Sequence, residues 1–143
     1  MKEDDYKRIT YDITMAAASL LSRLNGDMTF CYVSGEGTYG SEKGPMMWTR
    51  VKGKTENDIL KLPSKGAFMF RPGYIRPTKG LKNAYRMSTV MGTVYPFLRA
   101  IAPKHVCTLE ELGLAMINVT QSGCEKHVLE NVDIRKLGAS QKV

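Results

Sequence analysis

"MTFCYVSG", residues 28–35, is a short run of apolar and aromatic residues that ends in glycine. Such a run is typical of a buried β-strand. A loop rich in glycine follows it, then a predicted helix from about Met46 to Leu62, and "KGAFMFRPG" at 65–73 predicts a second buried strand. Because buried strands that alternate with helices are typical of a mostly parallel sheet, this stretch predicts an α/β fold.

The segment before this unit predicts an amphipathic helix. Asp4 or Asp5 can cap its start. The dipeptide Asn25-Gly26 is expected to end it, because both residues tolerate a left-handed C-terminal cap. Apolar residues recur at helical spacing along one face of this helix, at Ile9, Ile13, Ala16, Ala17, Leu20, Leu21 and Leu24.

The segment after this unit alternates in the same way. Residues 74–82 are predicted to be loop, and a helix is predicted from about Asn83 towards Ile101, kinked or split by Pro96. "TLEE" at 108–111 has the pattern of a capping box that opens a further helix. That helix carries Leu112, Met116 and Val119 on one face.

The last segment, "KHVLENVDIRKLG", predicts a third strand and then a short helix capped by Asp133 and closed by Gly138. A length of 143 residues suits one domain, 1–143. Three strands are few for a parallel sheet, which needs cover on both faces and neighbours at its edges. The sequence therefore predicts part of a larger sheet.

The charge of the chain is uneven. The formal net charge is +7, and between residues 41 and 86 eleven lysines and arginines face only Glu42, Glu56 and Asp58. Such an excess attracts polyanions, so one alternative function is a basic nucleic-acid- or protein-interaction module that uses residues 41–86. The plain alternative is a solvated basic face. Nucleic acid is the less favoured partner, because the segment has no recognisable nucleic-acid motif.

Composition also limits the class of protein. No apolar stretch approaches the ~20 residues that span a bilayer, and the charged start "MKEDDYKR" does not resemble a secretory signal. Cys31, Cys107 and Cys124 form no metal-binding pattern with His105 and His127, so no metal is expected. The odd, widely spaced cysteines predict reduced thiols in a cytoplasmic protein without membrane partners.

Two short motifs match known nucleotide or catalytic patterns by letter only. "GEGTYG" at 35–40 fits G-x-G-x-x-G, but residues 41–45 separate it from the next helix, whose start should meet the pyrophosphate. "YGSEK" at 39–43 fits Y-x-x-x-K, but Gly40 and the following Gly44-Pro45 favour a loop over the helical turn that the pair requires.

The order of the segments resembles the atypical short-chain dehydrogenase/reductases of the NAD-dependent epimerase/dehydratase type. A strand ending "VSG" is followed by a loop, "WTRVKGKTE" at 48–56 on a helix, and a strand ending "FRPGYI" at 70–75. In short single-domain members that helix reads Y-x-x-V-K-G-x-x-E. The resemblance runs from the first helix to about Gly138 and covers only the C-terminal half or two-thirds of a typical member. It implies a partial Rossmann-like fold that lacks the N-terminal glycine-rich βαβ unit.

The resemblance also implies a catalytic set of serine, tyrosine and lysine. The lysine position falls on Lys52, the tyrosine position on Trp48, and the serine position on Gly35, with Ser34 one residue earlier. An indole releases no proton near neutral pH, so Trp48 cannot serve as the general acid or base. The set is degraded, and we expect a protein that is non-canonical or inactive as an oxidoreductase. The plain alternatives are that Trp48 is an aromatic anchor, Lys52 is a surface lysine, and Ser34 is a hydroxyl that satisfies the backbone at the end of a strand.

The implied cofactor is NAD or NADP, with an unknown small molecule as substrate. Lys52 would contact the nicotinamide ribose, with its amine facing the ends of the two central strands. The loop beside the nicotinamide would consist of Arg71, Pro72, Gly73, Tyr74 and Ile75. A complete dinucleotide site needs the glycine-rich half, so we expect a fragment or a truncated product. In relatives, helices equivalent to 5–24 and 47–62 pair with a second copy, which implies a homodimer.

Overall fold

The computed structural model describes residues 1–78 and 86–140. Its helices are α1 (Glu3–Lys7), α2 (Ile13–Leu24), α3 (Met47–Ile59), α4 (Arg86–Ile101), α5 (Leu109–Ser122) and α6 (Asn131–Ala139). Its strands are β1 (Thr29–Val33), β2 (Gly66–Arg71), β3 (Tyr74–Arg76), β4 (Val106–Thr108) and β5 (Val128–Glu130). A π-helical turn, Arg8–Asp12, joins α1 to α2. The predicted α/β class with parallel strands is confirmed.

The contacts divide the chain into two compact units. The first contains Met1–Arg71 and Lys126–Val128, and the second contains Pro72–Glu125 and Leu129–Val143. No helix in the described ranges is both long enough and apolar enough to cross a bilayer.

The first unit is built on the predicted pair of parallel strands. β1 and β2 pair from Thr29 opposite Gly66 to Val33 opposite Phe70. In the sheet order β1-β2-β5, β2 is the central strand, and the amide of Met69 donates to the carbonyl of His127 on its other side. The apolar residues of β2 are buried, as a continuous apolar run in a central strand predicts.

The core of this unit joins both helices to the sheet. Ala18 of α2, Ile59 of α3, and Ala67 and Met69 of β2 form one buried cluster. The small Ala18 allows α2 to approach closely, while Ile59 and Met69 are 1% and 0% exposed. Lys52 and Glu56 lie seven and three positions before Ile59, so the face of α3 that packs on the sheet also carries the site at the ends of the strands.

The predicted cap at the start of the first helix is wrong, whereas its predicted end at Asn25 is confirmed in position but not in conformation. Lys2 is the N-cap residue and no side chain caps the helix, whereas Asp4 and Asp5 lie in the first turn, where carboxylates interact favourably with the helix dipole. At the other end, Asn25 is extended, with φ of −145°, rather than left-handed. Its side-chain oxygen instead accepts a hydrogen bond from the amide of Asp27, which turns the chain.

The second unit contains a parallel pair of strands that the sequence did not predict. β3 lies within residues 74–82, which were predicted to be loop, and it pairs with β4 so that Ile75 lies opposite Cys107. Each strand has only three residues, too few to show an alternating pattern. The buried side chain of Asn131 stabilises this pair of strands. Its amide nitrogen donates to the Val106 carbonyl, and its oxygen accepts from the Gly73 amide.

The helices of the second unit follow the predictions in part. α4 continues through Pro96 and is not split there, and its predicted start at Asn83 lies outside the described residues. The capping box of α5 is confirmed: the Glu111 amide donates to the Thr108 hydroxyl at 3.0 Å, and the Thr108 amide donates to the Glu111 carboxylate at 2.8 Å.

α6 corrects the predicted roles of Asp133 and Gly138. Glu130 is the N-cap residue, and Asp133, three positions on, accepts from the Glu130 amide. Gly138 is inside the helix, where a β-carbon would overlap the carbonyl of Glu111 in α5. Gly138 therefore serves close packing of α5 against α6 instead of ending the helix.

Candidate functional site

The candidate site of the first unit begins at the carboxyl end of β1. Ser34 directly follows this strand, and its amide donates to the Phe70 carbonyl at 2.8 Å, so pairing with β2 extends one residue further. The Ser34 hydroxyl donates to a carboxylate oxygen of Glu56 at 2.5 Å. Ser34 is only 5% exposed. Its hydroxyl is thus a buried donor that is already paired.

Glu56 joins three elements. It lies on α3, is 1% exposed, and accepts both from Ser34 after β1 and from Arg71 at the end of β2. The Arg71 guanidinium donates through Nε at 3.0 Å and through a terminal nitrogen at 2.5 Å. This paired geometry fits a planar guanidinium to a carboxylate and neutralises both charges away from water.

Lys52 lies one helical turn before Glu56, on the same side of α3. Its side chain is partly buried, and its amine donates to the backbone carbonyl of Ser34. Burial lowers the pKa of the Lys52 amine, and the negative charge of Glu56 opposes that shift. The amine therefore faces the end of β1, as the resemblance implies.

Trp48 lies one turn before Lys52, against a loop of glycines. Its outer ring carbons are 3.8 and 3.9 Å from where β-carbons at Gly35 and Gly37 would project. These two glycines have φ values of +142° and +83°, which side chains rarely permit. The loop can thus follow the indole surface only because glycine occupies both positions.

The positive φ of Gly35 also explains why no serine occupies that position. The serine position that the resemblance implies falls on Gly35, whose backbone conformation would strain any residue with a β-carbon. Ser34, the neighbouring hydroxyl, points into the Glu56 pair instead. The structure therefore brings Ser34, Trp48 and Lys52 to one end of the sheet, but gives Ser34 a structural partner.

Gly53 allows the loop around Tyr39 to pack closely against α3. A β-carbon at Gly53 would overlap the carbonyl oxygen of Tyr39. The Asn57 side chain fixes the same loop by donating to the Gly40 carbonyl at 2.8 Å and to Glu42 at 2.9 Å. Because α3 begins only at Met47, "GEGTYG" opens no helix, as the sequence predicts.

Residues 71–75 do not form one loop. Arg71 ends β2 in the first unit, and its guanidinium is paired with Glu56. Pro72, Gly73, Tyr74 and Ile75 belong to the second unit, where Tyr74 and Ile75 begin β3. The backbone amide of Gly73 is used by Asn131 at 3.1 Å. The predicted loop is therefore corrected to a strand end followed by a new strand, whereas its contact with a nicotinamide stays a prediction.

Glu56 is the residue of this site to which sequence reasoning gave no role. The signal was present in the pattern V-K-G-x-x-E, which places Lys52 and Glu56 four apart on one helix face. The pattern does not identify the residues that pair with Glu56, because Ser34 lies 22 positions before it and Arg71 lies 15 positions after it.

The basic segment at 41–86 is partly neutralised within the first unit. Its ion pairs are Arg50–Glu3, Lys54–Asp58, Lys61–Asp58 and Arg71–Glu56. Several cations of the segment are therefore occupied by carboxylates, which weakens the case for a polyanion-binding surface.

Within residues 1–78 and 86–140, no group of three or more histidine, cysteine, aspartate or glutamate side chains is arranged to hold a metal ion. No family model matches this chain, and no curated protein matches it significantly. Function is therefore inferred from the geometry of the residues and from the sequence pattern.

Proposed function

We propose that this chain is an NAD(P)-binding protein of the atypical short-chain dehydrogenase/reductase type. In this proposal it binds the nicotinamide–ribose end of the dinucleotide and does not act as a conventional dehydrogenase. The fold that this implies is a partial Rossmann-like sheet. Its class, α/β with parallel strands, agrees with the observed pairing of β1 and β2.

One observation carries the proposal: the Lys52 amine lies at the carboxyl end of β1, beside the Ser34 carbonyl. In open parallel sheets, ligands bind outside the carboxyl ends of the strands. An ammonium group at that edge has three donors and can turn from a carbonyl to ribose hydroxyls. The amine is also partly shielded from water, which lowers its pKa and strengthens its electrostatic interactions.

The residues fit a nicotinamide nucleoside better than they fit catalysis. A bound nicotinamide would supply hydride transfer. Lys52 would hold the ribose, and Trp48 offers an apolar surface beside the glycine loop. Trp48 cannot move a proton, so the ~10²–10⁴-fold contribution of a general acid–base group is lost. Binding without efficient turnover is consistent with redox sensing, or with chemistry that other groups perform.

The test uses fluorescence, because Trp48 is the only tryptophan of the sequence. NADH, NADPH and reduced nicotinamide mononucleotide are titrated against the protein, and quenching of Trp48 is recorded. We expect quenching by at least one dinucleotide, and competition by the mononucleotide, which carries the part that Lys52 would contact. Lys52→Met should weaken binding about tenfold or more, as loss of a charged hydrogen bond predicts.

Lys65→Met is the matched control, because Lys65 is an exposed lysine that follows α3 and lies outside the site. It removes the same charge and should leave affinity unchanged. Absence of binding by NADH and NADPH alike would refute the proposal. Equal weakening by both substitutions would also refute it, because the attraction would then come from net charge alone.

A further inference from the structure

The first unit contains a further cleft, called here the basic cleft, on a different side of α3 from the candidate site. It has a volume of about 220 Å³ and lies between α1 with its π-helical turn and α3 with the loop before it. Lys54 in its wall follows Lys52 by two positions, which turn a helix by ~200°. The polar side chains that line the basic cleft are Glu3, Lys7, Tyr11, Glu42, Arg50 and Lys54.

Hydrogen bonds between different elements hold the walls of the basic cleft. The Arg50 guanidinium donates to Glu3 of α1 at 2.7 Å and to the carbonyl of Gly44, in the loop before α3, at 3.0 Å. The Tyr11 hydroxyl donates to Asp58 of α3 at 2.7 Å. Because these bonds fix the walls without a ligand, the cleft is preformed, as small-molecule sites usually are.

Two irregularities of the backbone lie in the wall of the basic cleft. The π-helical turn Arg8–Asp12 contains Tyr11, and the loop residue Glu42 has a φ of +59°. Among the residues that the structure describes, Glu42 is the one residue other than glycine with a positive φ. Both features are rare overall but frequent at functional sites. Their presence at one cleft indicates that its shape serves binding.

The two carboxylates of the basic cleft are already occupied. Glu3 forms an ion pair with Arg50 at 2.7 Å. Glu42 accepts from the side-chain amide of Asn57 at 2.9 Å. A cationic ligand would have to compete with the positive charge of Arg50 for Glu3, so these acids do not favour a cation in the cleft.

The cations of the basic cleft still have N–H donors available for a ligand. Lys7 forms no ion pair within the described part of the chain, and the ion pair of Lys54 with Asp58 occupies one of three N–H donors. Arg50 donates through its terminal nitrogens, which leaves its Nε–H. The amines of Lys7 and Lys54 lie 5.9 and 5.0 Å from the centre of the Tyr11 ring, so two like charges share one ring. An anion held by both amines would offset their repulsion.

The number of cations and the size of the basic cleft define the ligand. Lys7 comes from α1, whereas Arg50 and Lys54 come from α3, so positive groups approach from two sides. A phosphate group has three terminal oxygens, one for each cation, whereas a carboxylate has two. At ~30 Å³ for each water molecule, a volume of about 220 Å³ admits a phosphate on a short carbon chain but not a dinucleotide.

We propose that the basic cleft binds the phosphate group of a small phosphorylated molecule through Lys7, Arg50 and Lys54. Inorganic phosphate and a phosphate monoester share this chemistry, but the carbon chain of an ester could also contact Val51, the apolar residue of the lining. The proposal does not depend on nucleotide binding, because its residues are separate from Lys52 and Trp48.

The first test is calorimetric titration with inorganic phosphate, glycerol phosphate and acetate at constant ionic strength. We expect saturable binding of both phosphates, tighter for glycerol phosphate, and weaker binding of acetate. Lys7→Gln should weaken phosphate binding about threefold to fivefold, the size of an exposed ion-pair interaction. Lys65→Gln, at an exposed lysine outside the cleft, is the matched control and should leave the affinity unchanged. Inorganic phosphate that binds as tightly as the ester would identify the free anion as the ligand and overturn the phosphorylated molecule.

The second test locates the bound phosphate. Lys54→Gln should weaken phosphate binding about as much as Lys7→Gln, whereas Lys52→Met should not change it. Loss of phosphate binding through Lys52→Met would place the anion at the ends of the strands; it would refute the basic cleft and leave the nucleotide proposal intact. Equal weakening by Lys65→Gln would show that net charge attracts the anion. Absence of saturable phosphate binding at millimolar concentrations would also overturn the proposal.

Discussion

Glu56, which lies on α3, pairs with residues at the ends of both β1 and β2. It is 1% exposed and accepts hydrogen bonds from Ser34 and Arg71. Glu56→Gln would remove the negative charge and leave the guanidinium partly buried without its carboxylate. Breaking a buried pair in this way costs about 3 kcal/mol. We expect that decrease in the free energy of unfolding, measured by urea denaturation.

The pair Glu3–Arg50 is the matched control for this experiment. Its side chains are 49% and 32% exposed, so water screens the interaction. Glu3→Gln should therefore lower the free energy of unfolding by less than about 1 kcal/mol. Equal losses in the two variants would show that burial does not strengthen the Glu56 pair.

At the scale of residues, the sequence predicted where side chains lie better than it predicted which residues they pair with. The spacing from Trp48 to Lys52 predicted that both lie on one face of α3, because helix periodicity is a local property. The resemblance placed the Lys52 amine at the ends of the strands, and it lies at the end of β1. Ser34 was assigned a catalytic role because it precedes the serine position that the resemblance implies, but its hydroxyl is paired with Glu56. Pairings across 15 or 22 positions depend on the tertiary fold, which periodicity does not encode.

At the scale of elements, the contact between α5 and α6 depends on Gly138. A β-carbon there would overlap the Glu111 carbonyl, whereas a β-carbon at Gly113, inside α5, meets nothing within 4 Å. Gly138→Ala should therefore lower the free energy of unfolding by about 1–3 kcal/mol, as overpacking does. Gly113→Ala should raise it by about 0.5–1 kcal/mol, because alanine favours a helix interior. Thermal or urea unfolding measures both, and stabilisation by Gly138→Ala would contradict the close approach.

The elements that the sequence predicted are those with enough residues to show a pattern. α3, β1 and β2 were predicted nearly to their ends, and the Thr108 capping box was predicted with its partner. β5 is an exception, since it has three residues and was predicted. β3 and β4 are equally short and were missed, because Pro72, Gly73 and Pro77 around β3 indicate a loop and no alternation marks β4. Gly138 was misinterpreted because a glycine near the end of a helix can either stop it or admit a neighbour. Only the position of α5 distinguishes these two roles.

At the scale of the whole molecule, the pattern of apolar residues did not predict which apolar faces are covered. The residues of α1–α2 form a clear amphipathic stripe, yet Ile13 and Leu24 are largely exposed, and the small Ala18 contacts the core. A hydrophobic face indicates that something should cover it, not which surface does so.

Buried titratable groups in both units make the whole chain sensitive to alkali. Burial raises the pKa of Tyr32 in the first unit from 10.0 to about 12, and that of Cys107 in the second unit from 9.0 to about 11. A group whose pKa is raised in the folded state contributes stability that is complete below its unfolded pKa. That stability is lost as the pH rises through the folded value. The window for Tyr32 is therefore about pH 10 to 12, and that for Cys107 is about pH 9 to 11.

Tyr32→Phe tests the contribution of the first unit. The phenylalanine ring keeps the packing of Tyr32 beside Phe30 and Met69 but has no proton to lose. Between pH 10 and 12 the wild type should therefore lose more stability than the variant, by on the order of 2 kcal/mol. Urea titrations at closely spaced pH values measure this difference. Tyr39→Phe, at a ring that is 48% exposed, should follow the wild-type pH dependence. If Tyr32→Phe follows it as well, the Tyr32 hydroxyl ionises in the folded protein as readily as in the unfolded chain.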